Sequence, residues 1–421
     1  MNGSAQINTN GTIGSTSGTI NISFTAGTTE GAATVTLTII DTQGQQSQST
    51  ASVTVEEEET EITVSENITE DTSWESGKIY ILASRVAVTS GATLIIEPGV
   101  IVKGQAGTGA NATALIIARG AQIMAEGTAD EPIIFTSVAD EIVPGEVASP
   151  NLDPTLNGLW GGLIILGNAP ISAASETASI EGIPADDQNG LYGGTNAQDN
   201  SGVLKYVSIR HGGSNIGEGN EINGLTLGGV GSATVIENVE IISNQDDGIE
   251  WFGGTVNVSN AIVWNTGDDA IDGDQGWTGT LDNFIVINPG DKCFELDGPE
   301  GTAASANYVL RNGSIQAGDA AGLVDNDATN EIKDTNADMS NIYFFDLKEG
   351  QTFDKIPLYY TCTFANFEVT LPEGKSVTDF FLDGSDAFTT AVAAGANTVG
   401  ADASKFSGWS WAAVSGALAD F

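Results

Sequence analysis

Carboxylates recur at a fixed interval in the middle of the chain. The string NQDDGIEWFG (244–253) is followed by NTGDDAIDGD (265–274) and then by NPGDKCFELD (288–297). The step is 22 residues from Asp246 to Asp268 and 23 from Asp268 to Asp291. Stacked as strands about 4.8 Å apart, the copies place Ile249, Ile271 and Phe294 at one register position. Side chains alternate along a strand, so if these three face an apolar core, Glu250, Asp272 and Glu295 face outward, as do Phe252, Asp274 and Asp297. Like charges about 5 Å apart repel by roughly 0.9 kcal/mol in water and about 3.5 kcal/mol at an effective dielectric of ~20. Such a column calls for raised pKa values, full solvation or a bound cation. Hard oxygen ligands select calcium, which takes about 6–8 of them. Asp246, Asp247, Asp268, Asp269, Asp272 and Asp274 form the candidate set. The competing reading is a solvent-screened ladder whose aspartates cap turns.

Two other chemistries fit the same residues. Paired carboxylates ~5–5.5 Å or ~6.5–9.5 Å apart serve retaining and inverting glycosidases. However, β-helix galacturonan hydrolases also carry a Gly-His-Gly and an Arg-x-Lys after their aspartates, and neither string occurs here. The single histidine, His211, precedes the Asp-Asp pairs, and at a strand end it reads first as a structural residue. Lys292 is the one base inside the acidic repeat. A polysaccharide lyase or hydrolase therefore stands as the second reading. Exposed aromatics beside calcium suit a sugar face, and Phe252 and Trp277, with Glu250, Glu295 and Asp297, are the expected ligand face. Ordinary packing is the alternative for both rings. Cys293 and Cys362 form a candidate disulfide between a coil and the C-terminal region.

Composition narrows the partners. The 421 residues contain 13 Lys+Arg against 56 Asp+Glu, a formal charge of −43. Such a surface repels phosphate, which argues against nucleic acid and anionic lipid. Gly 53 is too much for a helical bundle, and 40% hydrophobic residues are too many for a disordered acidic chain. No apolar run is long enough to span a membrane. The N-terminal MNGSAQINTN has neither a basic region nor an apolar one, so no signal peptide is read in this chain.

The elements that must position the carboxylates are strands. From Trp74 onward short apolar pairs such as Ile79/Ile81, Leu94/Ile96, Leu115/Ile117 and Ile133/Phe135 alternate with Gly, Asn and Asp. A 22–23-residue period holding several short strands fits one coil of a parallel β-helix, whereas the leucine frame of a leucine-rich repeat is missing. The expected fold is all-β: a right-handed parallel β-helix of the pectate-lyase-like solenoid type, preceded by a partial Ig-like β segment. We divide the chain into a β module over 1–55, an acidic linker over 56–73, the β-helix over 74–345, and last coils with a C-terminal cap over 346–421. The closing string FSGWSWA (406–412) is expected to cover the open apolar end.

Longer strings carry resemblances. TVTLTIIDTQGQ (34–45) is similar to the last strands of PKD-type immunoglobulin-like modules. GATLIIEPGVIVKG (91–104) and GAQIMAEGTADEPIIFTS (120–137) resemble the opening coils of secreted β-helix proteins. GLWGGLIILGNAPI (158–171), YVSIRHGG (206–213) and DDGIEWFGGTVNV (246–258), with the coils around them, resemble outer-membrane surface lipoproteins of Bacteroidetes and Leptospira. The resemblance implies an extracellular or outer-membrane surface location. No lipobox cysteine is read in this chain. The expectation is a binding protein for a polysaccharide or a surface protein, with calcium as its ion. A self-assembling structural subunit is the third reading.

Overall fold

The computed structural model describes residues 4–7, 22–25, 31–55, 59–217, 220–301, 306–326, 335–354 and 362–421. The chain divides into Met1–Thr60 and Glu61–Phe421. In the first unit Ser4–Ile7 pairs antiparallel with Ile22–Thr25, and Gly31–Ile40 with Gln46–Val55. The second pair turns at Asp41, whose Oδ1 accepts the Gln43 and Gln45 amides at 2.8 Å each. The alternation Ile20, Ile22, Phe24 predicts a strand, and of it Ile20 lies outside the described residues.

The second unit is a right-handed parallel β-helix with three faces. One face is an eight-stranded sheet running from Val86–Val88 through Leu115–Ile117, Leu163–Leu166, Leu225–Gly228, Ile249–Phe252, Ile271–Asp274 and Lys292–Leu296 to Gly322–Asn326. The other two faces share a 15-stranded sheet. Its long strands turn a corner midway: Gly202–Lys205 pairs in parallel with the strand Gln122–Glu126, whereas Val207–Ile209 pairs with Ile133–Phe135. The residue at each corner is left-handed: Tyr206, then Asn238, Asn260, Asn283, Asn312, Asn341 and Asn366, at φ 51–60°. Asparagine tolerates that conformation better than other non-glycine residues. Stacked Asn side chains also bond one another, Asn283 to Asn260 at 2.7 Å and Asn341 to Asn312 at 3.0 Å.

Inward positions are filled by stacked residues of consecutive coils. Trp251 and Trp277 stack at 4.3 Å, and Trp277 and Tyr308 at 5.2 Å. Gly273 sits inward between Trp251 and Leu296, and a Cβ there would stand 3.0 Å from the Tyr308 ring. Glycine at that position makes room for the stack.

Two boundaries differ from the sequence reading. The β-helix opens at Glu61, because Glu61–Val64 pairs with Ile79–Leu82 and Thr72–Trp74 with Thr93–Ile96. Ile62 and Val64 pack on the core, so the acidic run ends before the expected linker does. At the other end the apolar interior is closed by Phe353, Phe367, Phe380 and Phe381 rather than by the last string. The final segment instead runs back along the outside of the 15-stranded sheet. Ala401 donates to Ser314 (2.8 Å), Asp402 to Asn283 (2.6 Å), and Trp411 and Ala412 to Glu240 (3.1 and 2.9 Å). Phe406, Trp409 and Trp411 cover the outward side chains Ile242, Ile262, Trp264 and Ile285.

Candidate functional site

The register of the eight-stranded sheet stacks the repeated carboxylates. Glu250 lies opposite Asp272, and Asp272 opposite Glu295; one pair further along, Phe252 lies opposite Asp274. Ile249, Ile271 and Phe294 are fully buried inside the coil, so the carboxylates stand on the outer side. The Asp-Asp turns precede these strands and bring Asp246, Asp247, Asp268 and Asp269 to the same edge.

The column is not solvated. A hairpin formed by Ala178–Ser179 and Leu191–Tyr192 and the loops around it are laid over this face. Asp247, Glu250, Asp269 and Asp272 are each no more than 7% exposed. A groove of about 520 Å³ remains, and 11 of its 15 lining residues are Asp or Glu; none is Lys, Arg or His. Asp274, Glu295 and Asp297 line it at intermediate exposure. From the hairpin side come Glu181 and Tyr192, and Glu221 and Glu300 add further acid. None of these four carries a repeat signal. For Glu181 and Tyr192 the one trace in the sequence is the break in coil rhythm between 167 and 201.

Turn capping and ligand supply coexist at the edge. Asp247 Oδ1 accepts the Asp269 amide of the next coil at 2.9 Å, and Asp269 Oδ1 accepts the Lys292 amide at 2.5 Å. Asn223 Nδ2 donates to Glu181 at 3.1 Å and also to Glu250. Asp274 accepts the Gln275 amide. Asp272 Oδ1 is buried with no hydrogen-bond partner.

Burial first, and crowding by other carboxylates second, favour the protonated form of these groups. Burial, with the Glu181, Glu221 and Asp268 charges, pushes Asp246 up to about 8. Burial and the adjacent Asp269 push Glu295 up to about 9, and burial raises Asp269 itself to about 6. Asp247, Glu250, Asp272 and Asp274 lie well above the carboxylate range, burial being the larger cause and neighbouring carboxylates the next. Burial also raises Asp268, with Asp291 adding to it and Lys292 opposing.

Three overlapping sets of carboxylates offer oxygens within 4.8 Å of one another: Asp246/Asp247/Asp268, Asp247/Glu250/Asp272, and Asp268/Asp269/Asp291. Two ligands on one calcium ion, each at ~2.3–2.6 Å, stand at most about 5 Å apart. The spacing therefore suits bridging by calcium. It is shorter than the ~6.5–9.5 Å between the carboxyls of an inverting glycosidase.

Several expected roles are corrected. Trp277 is fully buried, stacked between Trp251 and Tyr308 with its Nε1 on the Val256 carbonyl (3.0 Å), and forms no sugar face. Phe252 points to the outer side but is covered by Tyr192, edge-on at 6.1 Å, and is 7% exposed. Cys293 and Cys362 are not joined: Cys293 is buried in the coil core, and the Cys362 thiol meets the Thr335 carbonyl at 3.5 Å. Each base near the repeat is already engaged, Lys292 at the edge of the acidic cluster itself. Lys292 pairs with Asp291 at 2.7 Å, and Arg311 with Asp282 at 2.9 Å on the other sheet. His211 is buried, its Nδ1 on the Leu156 carbonyl at 2.5 Å.

No helix among the described residues is long and apolar enough to cross a membrane. No curated protein and no solved structure matches the chain. Residues 66–362 match the model of a family described as a pectate-lyase-like β-helix domain. With the coil architecture and that match covering most of its length, the chain belongs to the pectate-lyase-like β-helix family.

Proposed function

We propose that this chain is an extracellular or cell-surface binding protein, without catalysis of its own, that takes calcium into the acidic groove and holds a polysaccharide or surface partner through it. The observation that carries the reading is the buried set Asp247, Glu250 and Asp272, faced by further carboxylates and by no cationic side chain of the groove wall. An ionised carboxylate buried without a counter-charge is strongly disfavoured. The column must therefore keep its protons or be given a cation from outside. Calcium tolerates 6–8 oxygens in irregular geometry, whereas magnesium demands a tight octahedron. Carboxylates from stacked strands and turns supply the irregular kind of site.

Hydrolysis is the second reading, favoured by one observation. Glu295, which retains its proton to about pH 9, is bonded to Asp269, which retains its own only to about pH 6. Acid and base roles arise where two environments separate a pair of carboxyls in this way.

Incubation with acidic and neutral polysaccharides, in calcium or in chelator, followed by size-exclusion chromatography, tests both readings. Intact glycan co-eluting only in calcium is the expected result. Shortened chains overturn the non-catalytic reading, and glycan that never co-elutes overturns glycan binding.

A further inference from the structure

The acidic groove has a counterpart on the first coils. A cavity of about 620 Å³ opens where the strands Val86–Val88, Leu115–Ile117 and Leu163–Leu166 end, walled on the other side by the 188–191 segment. Its wall holds Arg119, Ser90, Thr89, Asn168, Gln188 and Asn189, and no Asp or Glu. Four other cavities of this chain each have at least one carboxylate in the wall.

Arg119 is one of three described Lys and Arg residues without an ion pair; of the other two, Lys103 donates to the Asp140 carbonyl (2.7 Å) and Lys405 lines a cavity that holds Asp282 and Asp402. Eight described Lys and Arg residues form ion pairs with Asp or Glu. With 56 acidic residues in the chain, pairing is the ordinary fate of a base here. Arg119 has no such pair, and its hydrogen bond is from Nη1 to the Gly193 carbonyl, at 3.0 Å. A guanidinium carries five donors in a planar fork, so four remain after that contact. Beside it, the Ser90 hydroxyl and the Gln188 amide make no side-chain hydrogen bond to a described residue, and both are exposed at the cavity.

We infer that this cavity is a second binding site, for a sugar unit bearing an oxyanion, a carboxylate or a sulfate. The planar fork matches the two oxygens of such a group, and with no Asp or Glu in the wall no carboxylate there competes for it. The Ser90 hydroxyl and the Gln188 amide beside the fork suit sugar hydroxyls, whereas Asn168 and Asn189 hold their side-chain amides on Asp199 (3.1 Å) and Asp187 (3.0 Å), and the volume exceeds what a bare oxyanion fills. The site needs no metal. It is therefore independent of calcium in the acidic groove, some coils further along the same sheet. The chain's negative charge opposes anions at long range, but at physiological salt that repulsion decays over about 8 Å, and contact decides binding.

The test is ligand-observed saturation-transfer NMR on the full chain in EDTA and 0.15 M NaCl, titrated with sodium glucuronate, glucose 6-sulfate and glucose, with sodium sulfate, which has no protons to observe, added as a competitor of the sugar anion. Glucuronate or glucose 6-sulfate is expected to bind, and which of them binds identifies the oxyanion. Glucose and free sulfate are expected to be at least roughly tenfold weaker, the scale of losing a charge-assisted bond or its neutral partners. Arg119→Gln should weaken the sugar anion roughly ten- to a hundredfold, with Arg119→Lys between. Ser90→Ala and Gln188→Ala leave the Gly193 tie intact and should each lose a few-fold, about one neutral hydrogen bond. Asp272→Asn, in the other groove, should bind as wild type does. No binding of either sugar anion, equal binding of free sulfate, or an Arg119→Gln variant that folds and binds normally overturns the inference.

Discussion

Glu240 and Glu250 are both buried carboxylates on the outer side of β-helix strands, each under a covering segment, and the protein treats them in opposite ways. Glu240 lies beneath the C-terminal segment and receives the Ser208 hydroxyl (2.7 Å) and the Trp411 and Ala412 amides, with the Arg210 guanidinium 3.8 Å away. Arg210 in turn sits 5.0 Å from the centre of the Trp411 ring. Glu250 lies beneath the hairpin and faces Asp272, Glu181, Asp247 and Asp274, with the Asn223 amide as its donor. One carboxylate is answered from within the chain. The other belongs to a column whose missing counter-charge has to come from protons or from an outside cation.

Substitutions separate the two cases. Glu240→Ala leaves Arg210 buried without its counter-charge and releases the Trp411 amide, so we expect a loss of about 3–5 kcal/mol of stability by denaturant unfolding. Asp272→Asn should instead leave the chelated protein as stable as wild type or more so, because it removes a carboxyl that faces other carboxyls. An equal loss in both variants would erase the distinction. Trp411→Ala removes the ring over Arg210 and part of the apolar cover, with an expected cost of about 3–5 kcal/mol, since the ring is buried in the cluster under the C-terminal segment.

Acidity sharpens the comparison further. The folded groove binds protons that the unfolded chain releases near pH 4, so the folded state holds more of them between about pH 4 and the raised values. Stability in chelator is therefore greatest at the acid end of that window. It falls as pH rises through about 6 for Asp269, about 8 for Asp246 and about 9 for Glu295. Thermal unfolding in EDTA from pH 5 to 9 checks this sign, and calcium should flatten the slope by replacing the lost protons. The smallest expected effect concerns the cysteines: a reductant should leave the melting temperature unchanged, since Cys293 and Cys362 are not bonded to each other.

The fold was legible because the core repeats. Ile249, Ile271 and Phe294 recur at the coil period, and that recurrence alone aligns Glu250 with Asp272 and Glu295. What covers the coils has no period. The hairpin that buries Phe252 and adds Glu181 lies some 60 to 70 residues upstream of the ladder, so parity correctly turns Phe252 outward yet cannot show that Tyr192 covers it. Trp277 follows the end of its strand, where alternation no longer assigns a side, and the interior stack claims it. The last string was apolar enough to close an open end. Its backbone amides instead meet Glu240, a pairing across some 170 residues that no local pattern announces.

The most direct test of the central claim is a calcium titration followed by thermal unfolding, with wild type and Asp272→Asn side by side at pH 7. At a hundredfold excess over Kd, calcium is expected to stabilise wild type by about 2.7 kcal/mol, with little or no gain in the variant. A wild-type melting temperature indifferent to calcium, or an equal rise in both proteins, would contradict the account of the groove as a cation site.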